Sequence, residues 1–131
     1  MKGILGSQMT QFWSPDLDND ANKKFVADFR EQYGSYPSFY AAQAYDSILL
    51  IKSAVDAVDG DLDNMDGMRA AMEQANFPSV RGEFTYGNNH MPIQNFYSRT
   101  VVEDADGNWT TKIDEAVLEN HQDVYASECS L

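Results

Sequence analysis

The sequence predicts an α/β fold in which three helices are followed by β-strands and a hairpin. Apolar residues recur at helical spacing in three segments between positions 22 and 75, and the spacing changes to two after Pro78. Asp106-Gly107 then separates two β-rich runs. Hardly any predicted strand precedes the helices, so they lack the sheet against which such helices pack. We therefore expect the chain to be a partial lobe of a larger protein.

The residues before the first helix are predicted to be the end of a strand and a loop. Ile4-Leu5-Gly6 is typical of a short strand that is ending. Residues 8–20 show no sustained period and predict a loop, which holds Phe12 and Trp13. Two large aromatic side chains in a loop need cover from elsewhere in the protein.

The first predicted helix runs from Asn22 to Tyr33. Asn19 or Asp20 can cap its start, and Gly34 can end it. Its apolar face is formed by Phe25, Val26, Phe29 and Tyr33.

Two further helices are predicted, one opened by Pro37-Ser38 and reaching about Val58, the other capped within residues 61–64 and ending before Pro78. The apolar stripe of the former consists of Ala41, Ala44, Tyr45, Ile48, Ile51 and Val55. Its width predicts a central helix with Tyr45 in the core. The stripe of the latter consists of Met65, Met68, Ala71, Met72 and Ala75, a pattern that more often packs than binds.

The C-terminal part is predicted to be mostly β-structure. The predicted elements are, in order, a strand over 80–86, a turn-rich loop over 87–92, hairpin strands over 93–102 and 108–113, and a tail helix over 114–127. His121 is expected on the surface of that tail helix.

Charge and composition exclude several classes of function. Nine Lys and Arg against twenty-one Asp and Glu give a net charge of -12, which would repel nucleic acid and an anionic membrane surface. No apolar run approaches the roughly 20 residues of a membrane span. There is no glycine-rich phosphate loop and no Cys/His cluster with zinc spacing, so neither cofactor nor metal is expected. Cys129, the single cysteine, is a free thiol or half of a bridge to a partner outside this chain.

Several segments together resemble one family in their order and spacing. They are Lys2-Gly3-Ile4-Leu5-Gly6, Asn22-Lys23-Lys24-Phe25-Val26, Tyr33-Gly34-Ser35-Tyr36-Pro37, Ala41-Ala42-Gln43-Ala44-Tyr45-Asp46, Val80-Arg81-Gly82-Glu83-Phe84 and Asn89-His90-Met91-Pro92-Ile93-Gln94-Asn95-Phe96-Tyr97. This pattern resembles the type I periplasmic solute-binding proteins of ABC transporters, in the group that binds branched-chain amino acids and aromatic acids. The resemblance covers nearly the whole chain.

The resemblance implies a two-lobed α/β protein that closes over a small solute, of which this chain is the C-terminal portion. Residues 1–92 would complete the N-terminal lobe, and residues 93–131 would form the third crossover and the final strands of the other lobe. The implied function is delivery of an amino acid or aromatic acid to a membrane ABC permease, without catalysis, in the periplasm or outside the cell. Self-association of the isolated chain is possible through apolar faces left exposed.

In the family picture, six residues are candidate ligand contacts. Phe12 and Trp13 follow a crossover strand, where they either stack on a planar solute or pack the hinge. Tyr40 lies at the start of the long helix, whose free amides favour an anionic solute. His90, Met91 and Gln94 belong to the third crossover, where they either donate hydrogen bonds to the solute or simply form a turn.

Three other functions are compatible with parts of the sequence. The first is a receptor, because the same fold serves as the sensing domain of receptors. The second is a hydrolase that uses His90 or Cys129, but such an enzyme would need an orienting group that the sequence does not supply. Asp104-x-Asp106-x-Asn108 with Glu115 resembles a calcium loop, but Trp109 occupies the place where that loop needs glycine. A hairpin tip is the favoured interpretation of that segment.

Overall fold

The computed structural model describes residues 2–130. The elements are β1 (Gln8–Gln11), α1 (Asp20–Tyr33), α2 (Phe39–Ala57), α3 (Met65–Gln74), β2 (Thr85–Tyr86), β3 (Pro92–Glu103) and β4 (Trp109–His121), with short 3-10 turns at Lys2–Ile4 and Ala126–Glu128. The predicted order of three helices followed by strands and a hairpin is confirmed.

Capping residues define the ends of the helices. The Asn19 side chain accepts a hydrogen bond from the Asn22 amide, and Gly34 ends α1 in the left-handed conformation at φ 67°. Ser38 caps α2 by accepting from Ala41 N, and Asn64 caps α3 by accepting from Gly67 N. All three helices therefore begin and end close to the predicted boundaries.

Strand β3 is the central strand of the sheet. The other strands, β1, β2 and β4, each pair with it in antiparallel orientation. β4 runs beside it from Gln94↔His121 to Glu103↔Trp109, so the predicted hairpin is confirmed. β1 pairs with residues 97–100, and β2 pairs with residues 92 and 93.

Three sequence predictions were wrong in local structure. Residues 4–6 are not a strand end: the 3-10 turn Lys2–Ile4 comes first, and β1 lies inside the segment predicted as a loop. The tail is not a helix over 114–127, because β4 continues along β3 to His121. The strand predicted over 80–86 is reduced to Thr85–Tyr86, and the residues before it bond to α2 instead: Ser79 Oγ and Val80 N donate to Asp46.

The core lies between α1, the start of α2 and the loop after β1. Its buried apolar members are Trp13, Leu17, Phe25, Val26, Ala42 and Val80. Buried Asn22 joins the loop to α1: its Oδ1 accepts from Trp13 Nε1 at 2.8 Å, and its Nδ2 donates to the carbonyls of Ser14, Pro15 and Leu17. The aromatic loop residues thus receive the cover that they were expected to need.

The predicted apolar stripe of α2 is not the face that this chain buries. Ala42, Asp46 and Ala54 face inward, whereas Tyr45, Ile48 and Ile51 are exposed. Tyr45 still packs its ring 4.7 Å from that of Phe25, but it is not a core residue here. Asp46, which the predicted stripe did not include, faces inward, and its carboxylate accepts hydrogen bonds from Ser79 and Val80. Within residues 2–130, no helix is long and apolar enough to cross a membrane.

Candidate solute-binding site

A buried ion pair holds together three segments that are distant in sequence. Asp46 on α2 and Arg81 after α3 are 3% and 11% exposed, and Arg81 Nε lies 3.2 Å from Asp46 Oδ2. The same carboxylate accepts from Ser79 Oγ at 2.6 Å and from Val80 N at 2.9 Å. Arg81 Nη1 in turn donates to Gln94 Oε1 at 3.1 Å, which fixes the start of β3.

The Arg81 guanidinium also lies over two aromatic rings. Its central carbon is 4.2 Å from the ring centre of Phe84 and 5.5 Å from that of Phe12. Such cation–π contacts hold the cation without adding another charge. The end of β1, the middle of α2 and the start of β3 therefore meet around one arginine.

An aromatic cluster adjoins this junction. The Phe12 ring packs edge-on against Phe39 and Phe96, with ring centres 6.4 and 6.5 Å apart. Tyr40 lies against Phe39 at 3.9 Å and is 69% exposed, so it presents an aromatic face to solvent. Of the six candidate ligand contacts, Phe12, Tyr40 and Gln94 are gathered here.

Trp13 has a different environment from its neighbour Phe12. It is almost fully buried, and its indole N–H is bound to Asn22. It lines an open cavity of about 320 Å³ beside the hairpin, together with Tyr36, Phe39, Arg99 and Trp109. Its role as a ligand contact stays a prediction.

His90 and Met91 lie away from the aromatic cluster. His90 occupies a turn at φ 57°, and its Nε2 lies 3.6 Å from Glu73 of α3. It lines a separate cavity of about 260 Å³ with Leu50, Met72 and Tyr86 among others, and Phe12 is not in its wall. Met91 is exposed. The structure therefore does not bring the six candidates into a single pocket.

Arg99 was missed by sequence reasoning, although it is only 7% exposed. Its Nη1 donates to the Trp13 carbonyl at 2.9 Å and to Thr111 Oγ1 at 3.3 Å, while its Nε has no partner. Burial lowers the pKa of Arg99, and the charge of Asp16 opposes that shift. The β3 segment has no regular apolar and polar alternation that would show which of its polar side chains face inward, so the sequence could not identify Arg99.

The calcium-loop pattern is a hairpin tip in the structure. Asp104 Oδ1 accepts from the Asp106 and Asn108 amides at 3.0 and 2.8 Å, and Asp104 Oδ2 accepts from Tyr36 Oη at 3.0 Å. Among the residues that the structure describes, no group of three or more His, Cys, Asp or Glu side chains is placed to hold a metal. Cys129 is a free, half-buried thiol, and a bridge to a residue outside this chain stays a prediction.

Comparison with known proteins defines the class. The sequence model of the periplasmic binding proteins matches residues 2–108. A solute-binding protein of an ABC transporter from R. palustris, solved in complex with benzoate, is 32% identical with a TM-score of 0.85, over 98% of this chain and 34% of that chain. One from Rhodopseudomonas palustris BisB5, solved with 3,4-dihydroxybenzoic acid, is 27% identical with a TM-score of 0.81, over 95% and 34% of the two chains.

Similarity of fold extends beyond these two proteins. A leucine-binding protein from Thermotoga maritima is 20% identical with a TM-score of 0.68, over 88% of this chain and 31% of that chain. No curated protein matches this chain. The chain belongs to the periplasmic binding protein family, as its sequence resemblance implied, and it spans about a third of the length of these solved relatives. The fold is therefore part of a type I periplasmic-binding-protein fold.

Proposed function

We propose that this chain is the C-terminal portion of a solute-binding protein that delivers an aromatic acid or an amino acid to an ABC permease. The main support is the 32% identity over 98% of the chain to a protein solved with benzoate. The family consists of binding proteins, so the proposed role is recognition of a solute without catalysis. The proposed location is the periplasm or the cell exterior.

The aromatic cluster is the proposed contribution of this chain to the cleft. Tyr40 offers an exposed ring supported by Phe39 and Phe12, and a planar solute can stack on such a face. The cluster adjoins the C-terminal end of β1 and the N-terminal part of β3. These two strands are the crossover strands in the proposed two-lobed protein. Residues 1–92 and 93–131 would then belong mainly to different lobes, and solute contacts with both lobes would favour the closed state.

The test is calorimetric titration of the longer protein that contains this chain with benzoate, 4-hydroxybenzoate and leucine. Tyr40→Ala should weaken binding of the preferred solute by about tenfold, because it removes a stacking face of about 1 kcal/mol or more. Tyr33→Ala is the matched control, since Tyr33 is likewise an exposed tyrosine, at 61%.

Two results would contradict the proposal. If none of these acids binds, the proposed solute class is wrong. If the two tyrosine variants weaken binding equally, Tyr40 does not line the cleft.

A further inference from the structure

We propose that Arg81 is a positioning residue for the solute site, which acts through the rings of Phe12 and Phe39 on the exposed ring of Tyr40. This role rests on the proposed function, because it presupposes that Tyr40 contacts the solute. It adds a residue that does not itself touch the solute but determines how well Tyr40 stacks on it.

The plane of the Arg81 guanidinium is fixed by two hydrogen bonds that point to different elements. Nε donates to Asp46 Oδ2 on α2 at 3.2 Å, and Nη1 donates to Gln94 Oε1 on β3 at 3.1 Å. Because the group is planar, it cannot rotate without losing one of these bonds. The side chains of Arg81 and Asp46 are only 11% and 3% exposed, so water has little access to replace either partner.

This fixed cation holds the ring of Phe12. The central carbon of the guanidinium lies 5.5 Å from the ring centre of Phe12, which packs against the core at the end of β1. A cation attracts the face of an aromatic ring. Arg81 therefore favours the orientation in which the ring of Phe12 faces the guanidinium.

Phe12 in turn supports the first turn of α2. Its ring meets that of Phe39 edge-on, with the ring centres 6.4 Å apart and the planes at 89°. The ring of Phe39 lies 3.9 Å from that of Tyr40, with an angle of 34° between the planes. Such contacts depend on ring orientation, so a tilt of Phe12 is passed on to Phe39 and then to Tyr40. In the part of the chain that the structure describes, Phe39 is the one aromatic ring packed against Tyr40.

Arginine is needed for this role, whereas a lysine would be enough to neutralise Asp46. A lysine ammonium can pair with the buried carboxylate, but it is a point charge and cannot also bond to Gln94 while lying flat over a ring. Arg81→Lys therefore keeps the charge that Asp46 needs and removes the fixed plane over Phe12. It separates the positioning role of Arg81 from its contribution to stability.

The first experiment is NMR spectroscopy of the 131-residue chain with isotope-labelled tyrosine rings. The Tyr40 signals, assigned by their loss in Tyr40→Phe, should shift in Arg81→Lys, because the ring current of Phe39 at Tyr40 depends on the angle between the two rings. Tyr33 is the internal control: it is 61% exposed, its ring packs on Phe29 at 4.6 Å, and its signals should not shift. Unshifted Tyr40 signals in Arg81→Lys would refute the proposal.

A double variant tests whether Phe12 is the link. Phe12→Leu removes the ring between Arg81 and Phe39, so it should shift the Tyr40 signals as well. Adding Arg81→Lys to Phe12→Leu should give no further shift, because Arg81 acts through Phe12. If the shifts of the two single variants add up in the double variant, Arg81 does not act through Phe12 and the proposal is wrong.

Two further variants control for the substitution itself and for folding. Arg69→Lys makes the same change at an exposed arginine of α3 and should leave the Tyr40 signals where they are. Gln94→Leu keeps the ion pair of Arg81 with Asp46 but frees Nη1, so it should shift the Tyr40 signals even if Arg81→Lys fails to fold. Unshifted Tyr40 signals in a folded Gln94→Leu chain would contradict the proposal.

The second experiment is calorimetric titration of the longer protein with benzoate. Arg81→Lys should weaken binding about fivefold when Tyr40 is present and should have no effect in the Tyr40→Ala background. A residue that only stabilises the fold would weaken binding by the same factor in both backgrounds. That result would overturn the positioning role.

The outcomes separate this role from the transport proposal. If the longer protein binds benzoate and needs Tyr40, but Arg81→Lys binds it as tightly as the wild type, only the role of Arg81 is wrong. If the longer protein binds no benzoate, it is the proposed transport of an aromatic acid that fails. The Tyr40 shifts alone then decide whether Arg81 orients the ring.

Discussion

Asp46 shows how much one buried carboxylate can contribute to this fold. It accepts hydrogen bonds from Ser79, Val80 and Arg81, so it fixes the loop after α3 against α2. Asp46→Asn would leave Arg81 buried without its counter-charge and would replace one acceptor with a donor. We expect the free energy of unfolding to fall by about 3–5 kcal/mol, measured by urea denaturation.

The control for this prediction lies on the same helix. Asp56 pairs with Lys52 on the exposed side of α2, and such pairs contribute less than about 1 kcal/mol. Asp56→Asn should therefore change the urea midpoint very little. Equal losses for the two variants would show that the buried pair is not what stabilises the junction.

Individual residues of the site were only partly predictable. Phe12 was identified because a large aromatic residue in a loop needs cover, and Tyr40 because it lies at the start of a helix whose free amides favour an anionic solute. The pairing of Asp46 with Arg81 was not, because the two residues are far apart in the chain and only the tertiary fold brings them to 3.2 Å. Arg99 gave no sequence signal for the same reason.

At the scale of elements, the hairpin tip is held by Asp104, whose pKa is lowered by hydrogen bonds, first of all from the Asn108 backbone amide. A lowered folded-state pKa stabilises the protein above the ordinary aspartate pKa of about 3.9, and this stabilisation is lost as the pH falls through the folded pKa. We expect Asp104→Asn to be less stable than the wild type at pH 7. The difference should shrink below about pH 4, as measured by thermal melts from pH 7 to pH 3.

Asp106→Asn is the comparison for the hairpin tip. The Asp106 side chain is exposed and reaches only Arg30, at 4.0 Å. Its substitution should leave the thermal melts nearly unchanged at each pH. If the difference in melting temperature between the wild type and Asp104→Asn is as large at pH 3 as at pH 7, the ionised carboxylate is not what stabilises the turn.

Elements with strong local signals were predicted, and those that depend on pairing were not. α1 was predicted with Asn19 or Asp20 as its N-cap and Gly34 at its end, because capping is local chemistry, and the structure has Asn19 as the cap. β1 consists of Gln-Met-Thr-Gln, which has no apolar alternation, and it is a strand only because β3 pairs with it. The end of β4 fits a helical pattern equally well, and the ladder with β3 decides in favour of a strand.

At the scale of the whole molecule, an apolar groove favours self-association of the chain and the high net charge opposes it. A groove of about 480 Å³ between α1 and α2 is lined by apolar residues that include Phe29, Tyr33, Tyr45 and Ile48. The charge of -12 opposes contact between two copies, and salt screens that repulsion over about 10 Å at 0.1 M. We expect sedimentation velocity to show self-association of the isolated chain that increases with salt.

Ile48→Gln should suppress this association, because it places a polar group in the groove. Val124→Gln is the control, since Val124 is also exposed but lies in the tail. A chain that stays monomeric at every salt and protein concentration would contradict the prediction.

The position of β1 in the sequence has a consequence for biosynthesis. Gln8 pairs with Thr100, so the ladder between β1 and β3 cannot form until almost the whole segment that separates the two residues has been made. Helices α1 to α3 rest on local hydrogen bonds and leave the ribosome before β3 does. Pairing of β1 with β3 closes a long loop, so it is expected to be a late step in the folding of this segment.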